Sequence, residues 1–156
     1  MKKCLKMKPF IVLLVTFVIA LIVTKITSGN YKAALSARIA LSIMLLFTAS
    51  AHFAFTKGMT MMIPSFIPYK TEVIYLTGII EIIAAIGLLI PNFKETTGWL
   101  LILFFVLLLP ANIHAAIKHI DYQKGTFDGN GLNYLWFRVP LQILFILWTY
   151  FSSIRF

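Results

Sequence analysis

The sequence predicts an all-α fold: an integral membrane up-and-down four-helix bundle with an additional N-terminal transmembrane helix. Three observations carry this. Of the 156 residues, 60% are hydrophobic and only 12% are charged, where a soluble domain would be roughly a quarter charged. The apolar residues come in long runs rather than in a 3.6- or 2-residue alternation, so the expected solvent is lipid. The net charge of +9 comes mostly from Lys and Arg flanking those runs, as orientation signals and headgroup contacts do. That placement argues against nucleic acid as a partner and for the lipid bilayer.

The first apolar run, residues 10–26 (FIVLLVTFVIALIVTKI), follows Lys2, Lys3, Lys6 and Lys8. A secretory signal peptide has a similar basic lead. This run is long for a signal core, and the following ITSGN offers no clear A-x-A cleavage site, so a retained helix is expected. The sole cysteine, Cys4, precludes an intrachain disulfide or a CxxC redox pair.

The second run covers about 33–56, the third 72–90, the fourth 96–118 and the fifth 133–152. At a helical rise of 1.5 Å per residue these reach roughly 27 to 36 Å, enough for a hydrocarbon core of about 30 Å. Connections are short except at 57–70 and 119–132, so neighbours are expected to pack antiparallel. Residues 1–32 form the leading segment and linker, and 33–156 the four-helix domain. The 61–70 loop, MMIPSFIPYK, is broken by Pro64 and Pro68 and cannot be a continuous helix. It is expected to lie at the interface over the polar groups.

With the N-terminus inside, Lys2, Lys3, Lys6, Lys8, Lys57, Lys70, Lys118, Lys124 and Arg138 are cytoplasmic. Lys25, Lys32, Arg38, Lys94 and Arg155 are then outside. Nine against five favours that orientation, and the first four lysines decide it.

The third run, GIIEIIAAIGLLIP (78–91), carries one carboxylate, Glu81. An unpaired charge in hydrocarbon costs a few kcal/mol or more, so a partner is required. Antiparallel alternation brings His52, Asn112, His114, Arg138 and Gln142 to roughly 6 to 14 Å from one membrane face, with Glu81 deeper. Two arginines are candidate partners for Glu81: Arg138 from the cytoplasmic side, with Gln142 beside it, and Arg38 from the outer side. A guanidinium meets a carboxylate bidentately and keeps its charge in an apolar setting. Asn112 and His114, two residues apart, point in roughly opposite directions. The plain structural reading is that these groups only fix helix register. An intramembrane ionisable residue is nevertheless a functional-site candidate. No spacing of His, Cys and carboxylates suggests a metal site.

In order along the chain stand HF (52–53), MMIPSFIP (61–68), GIIEIIAAIGLLIP (78–91), LLPANIHAAIKH (108–119) and LWFRVPLQILFILWTY (135–150). Together these resemble the DoxX-like family of small bacterial integral membrane proteins, over Arg38 to Tyr150. The resemblance implies a four-helix core in the bacterial plasma membrane. On the matched motifs its recurring polar positions are Arg38, His52, Glu81, Asn112, Arg138 and Gln142. Some relatives are named as membrane subunits of thiosulfate:quinone oxidoreductase, which implies a quinone-facing redox role by association. On that reading the chain is an accessory or quinone-site subunit with a soluble oxidoreductase partner. The quinone would sit in a pocket walled by Phe53, Phe66, Trp136 and Phe145. The alternatives are a small proton-coupled transporter, working as a homo-oligomer, and a purely structural membrane protein. A His–Glu enzyme ranks last, because His52 and Glu81 are expected at different depths.

Overall fold

The computed structural model describes residues 7–156; Lys2, Lys3, Cys4 and Lys6 lie outside the described residues. The described residues form helices joined by turns and irregular connections, with one isolated bridge between Asp121 and Thr126 and no strand. Five long helices correspond to the five apolar runs: α1 (Lys8–Ser28), α2 (Ala33–Ala54), α4 (Lys70–Gly87), α5 (Lys94–Ile117) and α6 (Asn133–Thr149). A short α3 (Thr56–Met62) occupies the first part of the long second connection. The sequence reading had left that stretch without a helix. Its seven residues end at Met62, and Ile63 is already extended, just ahead of the Pro64 that bars continuation.

Four helices are long and apolar enough to cross a membrane: α1, α2, α5 and α6 with its extension to Arg155. The fifth, α4, has 18 residues and carries Lys70, Glu72 and Glu81, which sets it apart in composition though not in packing. Its 18 residues rise about 27 Å.

Neighbouring helices run antiparallel. Thr24 on α1 meets Ser36 on α2, Thr48 on α2 meets Glu81 on α4, and Asn112 on α5 meets Gln142 on α6. The most extensive pairings are α1 with α2, α2 with α4, and α5 with α6. One core holds all five long helices together, through Leu13, Leu41, Met44, Leu45, Ala85, Leu88, Leu101, Phe105 and Phe145 among others. Leu13 lies on α1, so the leading helix shares the core of the four-helix unit instead of standing apart from it.

Past α6 the backbone widens into a π-helix, Tyr150–Arg155. It buries Ser152 and Ser153 and presents the Ser152 carbonyl to Arg38, whose Nη1 donates to it at 3.1 Å. Trp148 Nε1 donates to the Ala37 carbonyl at 3.0 Å, tying α6 to α2 at the same end.

The connection 119–132 folds onto α3. Gly58 makes this possible, because a Cβ there would stand 1.8 Å from the Tyr122 carbonyl oxygen. Tyr122 also meets Phe55 edge-on, with ring centroids 6.3 Å apart.

Candidate functional site

Glu81 lies one helical turn after Thr77 on the buried face of α4, and His52 one turn after Thr48 on α2. Because the two helices are antiparallel, Thr48 comes opposite Glu81 and His52 opposite Thr77. Gly78 permits the close approach: a Cβ there would come within 3.0 Å of the His52 Cβ.

The resulting contacts form a chain. Thr77 Oγ1 donates to the Ile74 carbonyl at 2.8 Å. His52 Nδ1 lies 2.9 Å from Thr77 Oγ1 and 3.2 Å from the Ile74 oxygen. The hydroxyl's single hydrogen is already committed to the carbonyl, so Nδ1 carries the ring hydrogen and donates. That leaves Nε2 facing Glu81 Oε1 at 3.5 Å. The other carboxyl oxygen, Oε2, accepts from Thr48 Oγ1 at 2.9 Å. Thr48 Oγ1 can turn instead to the Leu45 carbonyl, 3.0 Å away. Glu81 is 4% exposed and His52 9%.

This geometry corrects the expected pairing. The two ion pairs found among the described residues are His52–Glu81 and Lys124–Asp128; neither Arg138 nor Arg38 pairs with Glu81. Arg38 is held at the far end of α2 by Ser152. The expected depth difference between His52 and Glu81 is present but smaller than expected, and does not keep them apart. They stand one turn apart along the axis, about 5.4 Å, and their long side chains bridge that offset.

The other polar positions belong to a second network, between α5 and α6. Asn112 Nδ2 donates to Gln142 Oε1 at 3.1 Å, and Gln142 Nε2 donates to the Phe105 carbonyl. Pro110 lies one turn further along, where its missing N–H loosens the helix. Tyr134 donates to Asn112 Oδ1 at 3.5 Å. His114 points the other way, its Nδ1 lying 3.0 Å from the Met62 carbonyl at the end of α3. The single convergent cluster expected from the sequence is therefore two networks, one in each helix pair.

Arg138 stands apart from both, lining a cavity of about 190 Å³ at the α5–α6 end, beneath the 119–132 connection. The expected quinone pocket does not assemble. Phe66 and Trp136 are 81% and 84% exposed, Phe53 is 47% exposed, and Phe145 is buried in the core at 6%. Phe53 stacks instead on Tyr75, and Phe145 packs on Phe105. Sequence reasoning missed Thr48, although its spacing of four residues from His52 was a usable signal; Thr77 falls on the same helical stripe as Glu81 and was legible from that spacing. No group of three or more metal-ligating side chains occurs among the described residues.

Chemically, His52 and Glu81 can hold one proton in two arrangements, imidazolium with carboxylate or imidazole with carboxylic acid. Net charge is zero in both. The threonines serve either arrangement, since each hydroxyl can accept as well as donate.

Residues 41–153 match the family described as Domain of unknown function (DUF8561), and the chain belongs to that family. The matched region takes in both polar networks and the cavity, and it leaves out α1. No curated protein and no solved structure matches the chain.

Proposed function

We propose that the chain is an integral membrane protein of the bacterial plasma membrane, with its N-terminus cytoplasmic, serving as an accessory subunit in quinone-linked redox physiology. Its task there is to hold and pass a proton at the His52–Glu81 pair. The observation that supports this is the buried contact of 3.5 Å between imidazole and carboxylate, flanked by two hydroxyls. Quinone reduction consumes protons and quinol oxidation releases them, so a membrane redox complex needs protonatable groups away from bulk water. A pair that stays neutral in hydrocarbon meets that need at low electrostatic cost. The quinone association itself rests on the resemblance to DoxX-like proteins, and any electron-carrying cofactor belongs to a soluble oxidoreductase partner.

The test is purification in a mild detergent, with lipid extraction for quinone and analysis of co-purifying flavin- or iron-bearing oxidoreductases. Wild type is expected to bring one or both. Glu81→Gln, which keeps the shape and removes the transferable proton, is expected to retain the partner and slow quinone turnover at least ~10-fold. Absence of both quinone and oxidoreductase would sink the redox reading. Unchanged turnover in Glu81→Gln would reduce the pair to a register-fixing contact. The same pair would suit a small proton-coupled transporter, a reading that proteoliposome uptake indifferent to Glu81→Gln removes.

A further inference from the structure

The cavity beneath the 119–132 connection is walled on its apolar side by Ala116, Ile120 and Phe137, and on its polar side by Asp121, Tyr122 and Arg138. Its charges are unequally satisfied. The Asp121 carboxylate accepts the backbone N–H groups of Gln123 at 3.1 Å and Lys124 at 3.4 Å, closing a turn. Asp128 pairs with Lys124 at 3.6 Å and accepts from the Thr126 hydroxyl. Among the described residues the Arg138 guanidinium makes no ion pair, although two carboxylates line the same cavity. A half-buried guanidinium without a carboxylate calls for an anion.

The second donor is Tyr122. Burial holds its hydroxyl above the ordinary tyrosine range and nearby Tyr134 adds to this, while Arg138 opposes it. The phenol therefore stays protonated at neutral pH. It accepts from Gln123 Nε2 at 3.4 Å, which leaves its own hydrogen to give.

The mouth of the cavity lies where α5 ends and α6 begins. Phe127, Leu132 and Trp136, adjacent in sequence to the lining residues Asp128, Gly131 and Phe137, are exposed at 68%, 62% and 84%. Exposed aromatic and aliphatic groups at the end of apolar helices mark the headgroup level of a bilayer. The geometry points to an oxyanion site of phosphate class in this cavity, with Arg138 as the charged clamp and the Tyr122 hydroxyl as second donor. The phosphate comes from the headgroup of an anionic lipid or from a small soluble phosphate. A guanidinium suits such a ligand because its planar fork meets two phosphate oxygens at once. This site is independent of the His52–Glu81 pair.

The test uses the full chain in dodecyl maltoside, which contains no phosphate. Native mass spectrometry counts bound phosphatidylglycerol or phosphatidic acid, and a separate arm titrates inorganic phosphate by calorimetry. Wild type is expected to bind in at least one arm, and which arm identifies the source. Arg138→Gln is expected to weaken that binding at least ~10-fold, Tyr122→Phe about 3-fold or more, and Arg138→Lys less than Arg138→Gln. Circular dichroism establishes that each variant is folded, and Tyr122→Phe carries the test if Arg138→Gln is not. Absence of binding in both arms, or binding that the folded variants leave unchanged, overturns the proposal.

Discussion

Replacing Glu81 by alanine removes the carboxylate that His52 Nε2 faces at 3.5 Å. The two helices bear the loss unequally. Thr48 on α2 has a second acceptor in the Leu45 carbonyl at 3.0 Å, so its hydroxyl is not orphaned. His52 has no comparable alternative on its Nε2 side among the described contacts. Breaking a buried pair by deleting one member costs about 3–5 kcal/mol, and Glu81→Ala is expected in that range. Glu81→Gln is expected to cost under about 1.5 kcal/mol, because the amide can donate to Nε2 and accept from Thr48. His52→Ala with Glu81→Ala is expected to cost less than the sum of the single changes, with a coupling of about 1–3 kcal/mol. The assay is reversible unfolding in mixed micelles followed by far-ultraviolet circular dichroism. The Arg138→Ala, Glu81→Ala cycle is the control and is expected to be additive. Additivity within ~0.5 kcal/mol for the His52 cycle, or strong coupling to Arg138, would refute the assignment of partners.

Gly58→Ala is expected to lift the 119–132 connection from α3, since its Cβ would meet the Tyr122 backbone at 1.8 Å. A cost of about 3 kcal/mol, at the upper end for overpacking, and faster proteolysis within 119–132 would be the signs. Tyr122 ionises later in the folded protein than in the unfolded chain. Its contribution to stability is therefore complete below the unfolded value and is lost as pH rises through the folded one. Ultraviolet absorbance of tyrosinate should show a phase above the ordinary tyrosine range, and Tyr122→Phe should abolish it. Gln142→Leu leaves the buried Asn112 amide without its acceptor and is expected to cost about 1–3 kcal/mol. Asn112→Leu with Gln142→Leu is expected to recover part of that loss in the same unfolding assay.

Hydropathy marked the positions of the long helices closely. Runs expected at 10–26, 72–90 and 96–118 became Lys8–Ser28, Lys70–Gly87 and Lys94–Ile117. The inward positions of α4 follow from helical spacing too: Glu81, Ala84 and Ala85 are buried, as is Leu88 just past its end. What could not be read was the register of one helix against another. In lipid, apolar surface selects no particular neighbour, and packing is decided by small residues and polar contacts. Depth counted from segment ends placed His52 too shallow relative to Glu81. The true alignment depends on Gly78 admitting α2, whose His52 Cβ would stand 3.0 Å from a Cβ there. Arg138 was drawn toward Glu81 by charge, depth and the Gln142 beside it, whereas its position on α6 leads it to the cavity under the 119–132 connection. Of the rings proposed to wall a common pocket, Phe145 is buried in the core, whereas Phe66, on the connection before α4, and Trp136 are exposed.

The wide turn at Tyr150–Arg155 has consequences for how this chain tolerates change. A π-turn takes up more residues than an α-turn to cover the same path, so it behaves as an insertion absorbed in place. Deleting one residue there would let the segment tighten and would rotate its remaining residues relative to α6. Ser152 and Ser153 would no longer both face inward, and the carbonyl that receives Arg38 would swing away. Length variants among relatives should therefore cluster at this turn, accompanied by loss of the arginine at position 38.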